Sequence, residues 1–142
     1  MKNTRIMIML LIFGMTLSGQ SGSVEVDITD IVAEWGGSVK VGLFVEKGFP
    51  KTGKALENKD IPVRDIKAQI KFENIPVGKY AIAVFQDVNV DSTLNRTIYG
   101  QPTEPYAFSN NVFGRFGPPK FSEACFSVED NTKAAMVIHL RE

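Results

Sequence analysis

The sequence predicts an all-β protein, a single antiparallel β-sandwich of about seven strands, and three observations support that fold class. Residues 23–142 hold 14 Val and 9 Ile against 4 Leu and 1 Met, and β-branched side chains favour strands over helices. Several short segments alternate apolar with polar residues, as half-buried strands do. Over the same residues, no stretch of ten or more carries a convincing helical period.

The first element of the chain has the order of a secretory signal peptide. Lys2 and Arg5 precede an apolar run over residues 6–17, and small polar residues follow over 18–23. This run is too short to span a bilayer, which needs about 20 apolar residues. We therefore expect a signal peptide over residues 1–22, cleaved between 18 and 23, and a single domain over 23–142. The alternative is a buried N-terminal helix or a retained anchor.

Period-two alternation predicts four strands, and one face of each strand should be buried. Their apolar members are Val24, Val26 and Ile28; Val39, Val41, Leu43 and Val45; Ile66, Ala68, Ile70 and Phe72; and Met136, Ile138 and Leu140. Residues 80–85 are apolar on both faces, which predicts a central strand. Residues 121–128 are a further strand candidate. Residues 46–62 contain Pro50, Gly53 and Pro62, so we expect an irregular crossover there.

Composition and charge exclude several classes of function. The chain balances 16 basic against 16 acidic residues, and the expected leader removes two of the basic ones, so no basic excess indicates nucleic acid or an anionic membrane as a partner. One Cys excludes an intrachain disulfide framework, and one His excludes a poly-His zinc site. No nucleophile, base and orienting group are recognisable together, so we predict no catalytic residues and a protein that is not an enzyme.

A turn before the predicted central strand carries a first resemblance. Pro76 fixes φ, Gly78 permits a positive φ, and the hydroxyl of Tyr80 could reach a neighbouring backbone group while its ring packs. This pattern, in which Pro-x-Gly-x-Tyr stands between two strands, resembles that of prealbumin-like sandwiches such as carboxypeptidase regulatory domains. The resemblance implies an Ig-like or prealbumin-like version of the predicted sandwich.

The residues that follow carry a more specific resemblance. They run from Gln86-Asp87-Val-Asn89-Val-Asp91, through the Gly-Gln-Pro-Thr-Glu-Pro-Tyr segment at 100–106, to the Gly-Arg-Phe-Gly-Pro-Pro-Lys-Phe segment at 114–121. This pattern resembles the secreted bacterial family called domain of unknown function 2141, over roughly residues 24–140. The resemblance implies a fold and an exported location, periplasmic or extracellular, without a biochemical activity. That family usually has a His-Asp pair where this chain has Gln86-Asp87, so the resemblance implies no imidazole chemistry here.

The loop after the predicted central strand has the spacing of a calcium loop. Asp87, Asn89, Asp91 and Asn95 stand at positions 1, 3, 5 and 9, where alternate side chains of a tight loop converge on one cation. Position 6 is not Gly and position 12 is not acidic, so Glu104 would have to fold back to complete the ligand set. A calcium ion is the one cofactor that this pattern indicates. The alternative is a metal-free turn, because Asp and Asn tolerate left-handed backbone and form local turns.

A second cluster lies in the long segment 99–121, which is rich in aromatic residues and Pro. Its candidate ligand-binding residues are Tyr99, Tyr106, Phe108, Asn110, Asn111, Arg115 and Phe116. Long loops without regular structure are uncommon unless they are functional, and aromatic faces beside amides and a guanidinium could stack on a carbohydrate or hold a protein segment. The alternative is that these rings cap one end of the sandwich and extend its core.

Together these features predict a secreted, non-catalytic β-sandwich module that binds a ligand or partner through the loops after its central strand. Two alternatives stay open. One is a structural component of the cell envelope without a ligand. The other is a hydrolase that uses Asp87, Asp91 and Glu104 as its acid and base groups, which would require defined carboxylate separations.

Overall fold

A computed structural model of the chain describes residues 19–142, so residues 1–18 of the predicted leader lie outside the described residues. Short strands dominate this part of the chain, and the longest helix has four residues. The strands are β1 (Ser21–Thr29), β2 (Ser38–Phe44), β3 (Glu57–Pro62), β4 (Ala68–Pro76), β5 (Gly78–Asp87), β6 (Tyr106–Phe108), β7 (Phe126–Val128) and β8 (Lys133–His139), and the helix is α1 (Phe121–Ala124). Single 3-10 turns occupy Ala33–Trp35 and Ser109–Asn111. Over the described range, no helix is long and apolar enough to cross a membrane.

The strands form two sheets, which confirms the predicted all-β sandwich. One sheet has the order β4-β1-β8, and the other has the order β3-β2-β5-β6, with β7 paired to β5 beyond the end of β6. Most pairs are antiparallel, as expected. The exception is β1 with β8, which run parallel in the register Val24 with Ala134 and Ile28 with Ile138. A parallel pair fits here because the two strands are far apart in sequence and need no hairpin between them.

The main core lies between the two sheets and is built from alternate residues of each strand. Val26 of β1, Leu43 of β2 and Ile82 of β5 are fully buried in it. Because side chains alternate across a strand, the intervening residues of β1 and β4 face outward and are polar. The alternation in the sequence therefore identified the buried faces of β1, β2, β4 and β8 correctly. Val45 and Ile66, which we placed in strands, lie just outside β2 and β4 and are exposed.

A second, smaller core covers part of the outer face of the β3-β2-β5-β6 sheet. It contains Phe44, Phe49, Ala81, Phe108 and Ala124, all of them buried. The residues come from β2, β5 and β6 together with the two segments that cross over that face, 45–56 and 109–124. Central strand β5 is therefore buried on both sides, which confirms the prediction made from residues 80–85.

The prediction of a strand over residues 121–128 was only partly correct. Residues 121–124 form α1, and a strand, β7, begins at Phe126. The Glu123 carboxylate accepts a hydrogen bond from the Lys120 backbone N–H at 2.9 Å, and the Cys125 N–H donates to the Phe121 carbonyl oxygen at 2.8 Å. This single turn brings Phe121 and Ala124 onto the second core, because residues three apart lie on one face of a helix.

The prediction of an irregular crossover over residues 46–62 was wrong for its last third. Glu57–Pro62 forms β3, which pairs with β2 in the register Leu43 with Glu57 and Ser38 with Pro62. The strand is polar and ends in Pro because it lies at an edge of the sheet, where charged residues and Pro prevent pairing with other chains. Its sequence therefore lacks the apolar alternation on which our strand predictions depended.

The Pro-x-Gly-x-Tyr turn between β4 and β5 connects the two sheets. The Tyr80 hydroxyl donates a hydrogen bond to the Pro76 carbonyl oxygen at 2.7 Å, as the sequence suggested. Gly78 does not adopt a positive φ; the left-handed residue nearby is Asn74, with φ of 55°. The glycine instead lies under the Tyr80 ring, whose nearest atom is 3.5 Å from the position of a Cβ on Gly78. Tyr80 thus holds β4 and β5 together where the chain passes from one sheet to the other.

Candidate functional site

An open groove of about 360 Å³ lies on the outer face of the β3-β2-β5-β6 sheet, beside the second core. Gly42 of β2 and Ala83 of β5 are directly paired across the two strands and form part of its floor. The Phe44 ring lies over Gly42, where a Cβ would be 2.6 Å from Phe44 Cε2, and Ala83 beside it has only a methyl group above the sheet. The groove therefore follows from the register of β2 and β5.

Apolar and aromatic side chains form the walls of the groove. They are Phe44, Phe85, Leu94, Tyr106, Phe108, Pro50 and Pro118, from strands β2, β5 and β6 and from three loops. Phe108 packs edge to face against Phe49 and Tyr106, with ring centroids 5.8 Å and 6.0 Å apart. Edge-to-face pairs fix the orientation of the rings, so this side of the groove has a defined shape.

One end of the groove is charged. The Lys40 ammonium forms an ion pair with Asp60 across the β2–β3 pair, and its Nζ lies 3.9 Å from Oδ2 of the fully buried Asp87. The hydrogen bond from Lys40 lowers the pKa of Asp60 below its ordinary value of 3.8. Lys40 is mostly buried, so its charge is only partly screened by water and is held in a fixed position. A ligand with a polar end would meet a defined pattern of charge here.

Asp87 and Glu104 fix the loop that borders this end of the groove. The two carboxylate oxygens of Asp87 accept hydrogen bonds from the backbone N–H groups of Asp91 and Ser92, at 3.1 Å and 2.8 Å. Those of Glu104 accept from the N–H groups of Val88 and Asn95, at 2.9 Å and 3.0 Å. Both side chains are buried, so charge-assisted bonds replace the water that each carboxylate loses.

Of the other residues of the predicted calcium loop, Asn89 and Asp91 are exposed and Asn95 is half-buried. The Asp91 carboxylate accepts hydrogen bonds from the Asn95 and Asn89 amides at 3.0 Å and 3.1 Å, and from the Thr93 N–H at 2.9 Å. These bonds, the one from Asn95 above all, lower the pKa of Asp91. Side chains that bond to the backbone two residues on are typical of Asx turns. The metal-free turn that we gave as the alternative accounts for every one of these contacts.

A hard cation would find few free oxygens in this loop. Between residues 19 and 142, no group of three or more His, Cys, Asp or Glu side chains is arranged to hold a metal ion. Oδ1 of Asn95 is buried and has no hydrogen-bond partner among the described residues, but one amide oxygen is far short of the six to eight ligands that calcium takes. At the other four positions of the predicted site, Asp87, Asn89, Asp91 and Glu104, a calcium ion would have to share oxygens that already accept backbone N–H groups. The calcium site stays a prediction.

A second cavity of about 320 Å³ adjoins the groove, between the hairpin 96–102 and the loop 113–118. It shares Arg96, Tyr106, Phe108 and Pro118 with the groove. Tyr99 and Phe116 flank it and are 86% and 95% exposed. We call this second space the loop cavity. The structure thus brings together Tyr99, Tyr106, Phe108, Arg115 and Phe116, five of the residues that the sequence indicated for ligand binding.

The two remaining candidates, Asn110 and Asn111, line neither space. The Asn110 amide donates to the carbonyl oxygens of Glu123 and Cys125 at 3.0 Å and 2.9 Å, which ties the 3-10 turn to α1. The Asn111 amide bonds to the Val137 carbonyl and the His139 N–H, both at the exposed edge of β8. Both residues have a positive φ, which Asn tolerates well. Their contacts give them a structural role.

Sequence reasoning missed the residues on β2 and β3 that line the groove. Lys40, Gly42 and Phe44 alternate with the core residues of β2, and Asp60 lies opposite Lys40 on β3. A signal was present, because Phe44 and residues 81–85 give β2 and β5 an apolar second face. That signal predicts something packed on the outer face, although it cannot predict where the covering segments leave a gap.

Gln86 does not face the groove. Its side chain is fully buried, and its amide nitrogen donates to the carbonyl oxygens of Val32 and Gly36, each at 2.9 Å. Its amide oxygen accepts from the Val32 N–H at 2.9 Å. Three bonds from one side chain hold the turn over residues 32–36 against β5. At this position the chain therefore uses an amide to fix a turn.

The single histidine of the chain is remote from the groove, on the outer face of the other sheet. Nδ1 of His139 lies 2.7 Å from Thr29 Oγ1 and 3.0 Å from Asp30 Oδ2. In a nucleophile-base-acid set the two partners bond to different ring nitrogens, whereas here both are near the same one. All three side chains lie at the surface. The cluster has the geometry of a surface hydrogen-bond network.

Comparison with known proteins gives one match. The model of a family described as "Uncharacterized protein conserved in bacteria (DUF2141)" matches residues 26–136. No curated protein and no solved structure matches the chain. The matched range covers most of the described residues, including both sheets, the groove and the loop cavity.

Proposed function

Because this chain belongs to the bacterial family of domain of unknown function 2141, whose description names no activity, we propose a function from its geometry: a non-catalytic module that binds a ligand in the groove and loop cavity of its outer sheet face. The observation that carries this proposal is a groove of about 360 Å³ with Ala83 in its floor and aromatic rings, packed edge to face, in its wall. Concave sites with mostly apolar walls and a few placed polar groups are the usual form of ligand sites.

The chemistry of the groove supports binding over catalysis. Lys40 is paired with Asp60, and the buried carboxylates of Asp87 and Glu104 already accept backbone N–H groups. A carboxylate that serves as a base or nucleophile must instead reach the substrate. The hydrolase that we considered for Asp87, Asp91 and Glu104 therefore has less support than the binding module.

We also propose that the protein is exported, since the charged, apolar and small-residue order of residues 1–22 is that of a signal peptide. Cleavage after Ser18 would leave the whole of β1 in place. The Ser21 backbone N–H donates to the Asp130 carboxylate at 3.0 Å, and the Val77 N–H donates to the Gln20 carbonyl oxygen at 3.2 Å. A cut at residue 22 or 23 would remove these contacts.

An NMR titration of the ¹⁵N-labelled protein tests the binding function. The probes are three small molecules of different chemistry: maltotriose as a neutral sugar, trigalacturonate as an acidic sugar and phenylacetate as an aromatic acid. We expect at least one probe to shift the backbone amides of Gly42, Phe85 and Gly117, which border the two spaces. Amides of Glu25 and Lys71, on the outer face of the other sheet, should stay unchanged.

Two variants make this test specific to the groove. Ala83→Leu fills the floor, and Thr52→Trp places a large side chain at the exposed rim without touching the core. Both should abolish the shifts of Gly42 and Phe85, which border the groove. Ala135→Leu makes the same change as the first variant on the exposed face of β8 and should bind normally. Absence of shifts with all three probes, or shifts of Gly42 and Phe85 that persist in both groove variants, would overturn the proposal and favour a structural envelope component.

A further inference from the structure

The loop cavity is positively charged. Arg96 and Arg115 line it, and none of the residues described around it is acidic. The groove beside it differs, because there Lys40 is paired with Asp60. The two connected spaces therefore have different electrostatic character, and the loop cavity is the one that favours an anion.

Both guanidinium groups are available to a ligand. In the part of the chain that the structure covers, neither Arg96 nor Arg115 forms a salt bridge with a carboxylate. Nη1 of Arg96 donates to the Gly100 carbonyl oxygen at 2.9 Å, which orients the group across the hairpin and uses one of its five N–H donors. Cζ of Arg115 lies 5.4 Å from the centre of the Phe116 ring. Guanidinium groups bind carboxylates in a bidentate manner, so this arrangement suits a carboxylate.

Two aromatic rings stand beside these charges. Tyr99 and Phe116 are 86% and 95% exposed. Large apolar side chains that cluster at a surface cavity usually contribute to binding. Each ring sits on a short, constrained loop. A Cβ on Gly114 would collide with the Gly117 carbonyl oxygen, so the loop that carries Phe116 is tightly folded. The backbone beneath each ring is thus held in place, and the exposed rings present flat apolar faces at the cavity.

From this combination, and building on the binding function proposed above, we propose that the loop cavity binds an acidic sugar. The sugar carboxylate bonds to Arg96 and Arg115, and the apolar C–H face of the sugar ring packs on Tyr99 or Phe116. An acidic sugar has both features that the cavity matches, a carboxylate and a ring with one apolar face. A neutral sugar leaves the two guanidinium groups without a partner.

Calorimetry with a matched pair of ligands tests this inference. Trigalacturonate and its methyl ester have the same carbon skeleton, but only the first carries carboxylates. We expect trigalacturonate to bind at least about tenfold more tightly than the ester, because each charge-assisted hydrogen bond that is lost weakens binding by about that factor. Its affinity should fall as salt is added, since salt screens exposed charges.

Variants at exposed positions identify the groups involved without disturbing the fold. Arg115→Gln, alone and with Arg96→Gln, should remove the preference for trigalacturonate over the ester. Phe116→Ala should weaken both ligands, because it removes the stacking surface that they share. Arg64→Gln and Ile66→Ala change exposed residues between β3 and β4 and serve as controls with unchanged affinity.

Failure of this inference is distinguishable from failure of the binding function. Equal affinity for the acid and the ester, with shifts at the groove, overturns the acidic-sugar inference and keeps the binding module. Binding of trigalacturonate that is unchanged in the double arginine variant overturns it as well. Absence of binding by either sugar, together with binding to phosphatidylglycerol vesicles that Phe116→Ala abolishes, would make the exposed rings a membrane contact and overturn it. Absence of shifts with every probe contradicts both proposals.

Discussion

Lys40 Nζ lies 3.9 Å from Asp87 Oδ2, so the cation at the charged end of the groove is also the nearest countercharge of a buried carboxylate. That carboxylate folds the loop over residues 88–92 by accepting two of its backbone N–H groups. The relationship couples the shape of the loop to the charge in the groove. A change at Lys40 should therefore alter both.

Lys40→Met should destabilise the protein by about 2 kcal/mol, because removing one partner leaves a buried charge less compensated. The exposed partner Asp60 should contribute little of this. Because the pKa of Asp60 is lowered in the folded protein, its pairing with Lys40 stabilises the folded state at pH values above the ordinary pKa of 3.8. This contribution is lost as the pH falls through the lower pKa that Asp60 has in the folded state. In the variant, the pKa of Asp60, measured by NMR titration, should rise toward 3.8. An unchanged pKa would contradict the role of Lys40.

Glu104→Ala should destabilise the protein by about 3 kcal/mol, because two backbone N–H groups lose a charged acceptor in a buried site. Glu104→Gln keeps one acceptor and should cause about half that loss. Urea denaturation measures both values. Glu73→Ala is the matched control, since Glu73 is exposed and forms a surface ion pair with Lys71, and its effect should stay within about 0.5 kcal/mol. If Glu104→Ala loses as little stability as the control, the Glu104 carboxylate does not fix the loop.

Added calcium tests the cation hypothesis for the same loop. A ligand that binds the native state must raise the melting temperature by mass action. Because Asp87 and Glu104 already accept four backbone N–H groups between them, we expect the same melting temperature in calcium and in EDTA. A rise in calcium that Asp91→Asn abolishes would establish the cation site and contradict the metal-free turn.

Gln86→Ala should destabilise the protein by about 3 kcal/mol or more, through a cavity and three unpaired backbone groups. Gln86→Glu preserves the shape but places an acceptor against two carbonyl oxygens. It should be more destabilising at neutral than at acidic pH, because only a protonated carboxyl can donate to a carbonyl. Gln101→Glu, at an exposed position, is the control. Thermal melts at both pH values decide whether Gln86 has this structural role.

Val90→Asn should stabilise the protein by about 1 kcal/mol. Val90 has φ of 58°, a left-handed conformation that is costly for a β-branched residue and is tolerated by Asn. Its side chain is 64% exposed, so little packing is lost. Val77→Asn makes the same change at an exposed turn residue without a positive φ and should not stabilise. Equal effects of the two substitutions in chemical denaturation would refute strain at Val90.

Much of the fold could be predicted from the sequence because one face of β1, β2, β4 and β8 is buried and the other is solvated. That contrast is visible as alternation at, for example, Val24 and Val26. Strand β3 was missed because an edge strand needs no apolar face, and α1 was missed because its single turn is apolar at both ends. The parallel pairing of β1 with β8 joins residues about a hundred positions apart, which no local pattern specifies.

The candidate site could be predicted only in part. The rings and arginine of the loop cavity are close in sequence, so composition pointed to them. The groove depends on where Ala83 lies against β2, and that position is fixed by strand register between segments that the sequence cannot align. Asn110 and Asn111 were assigned to the ligand because amides beside aromatic faces suit a carbohydrate or a protein segment, although their amides complete backbone hydrogen bonds within the fold.

The most direct test of the binding module is the NMR titration repeated on the wild type, Ala83→Leu and Ala135→Leu under identical conditions. Our account predicts that a probe shifts the amides of Gly42 and Phe85 in the wild type and in Ala135→Leu, and that it shifts neither in Ala83→Leu. The same shifts in all three proteins, or no shift from any probe in the wild type, would contradict it.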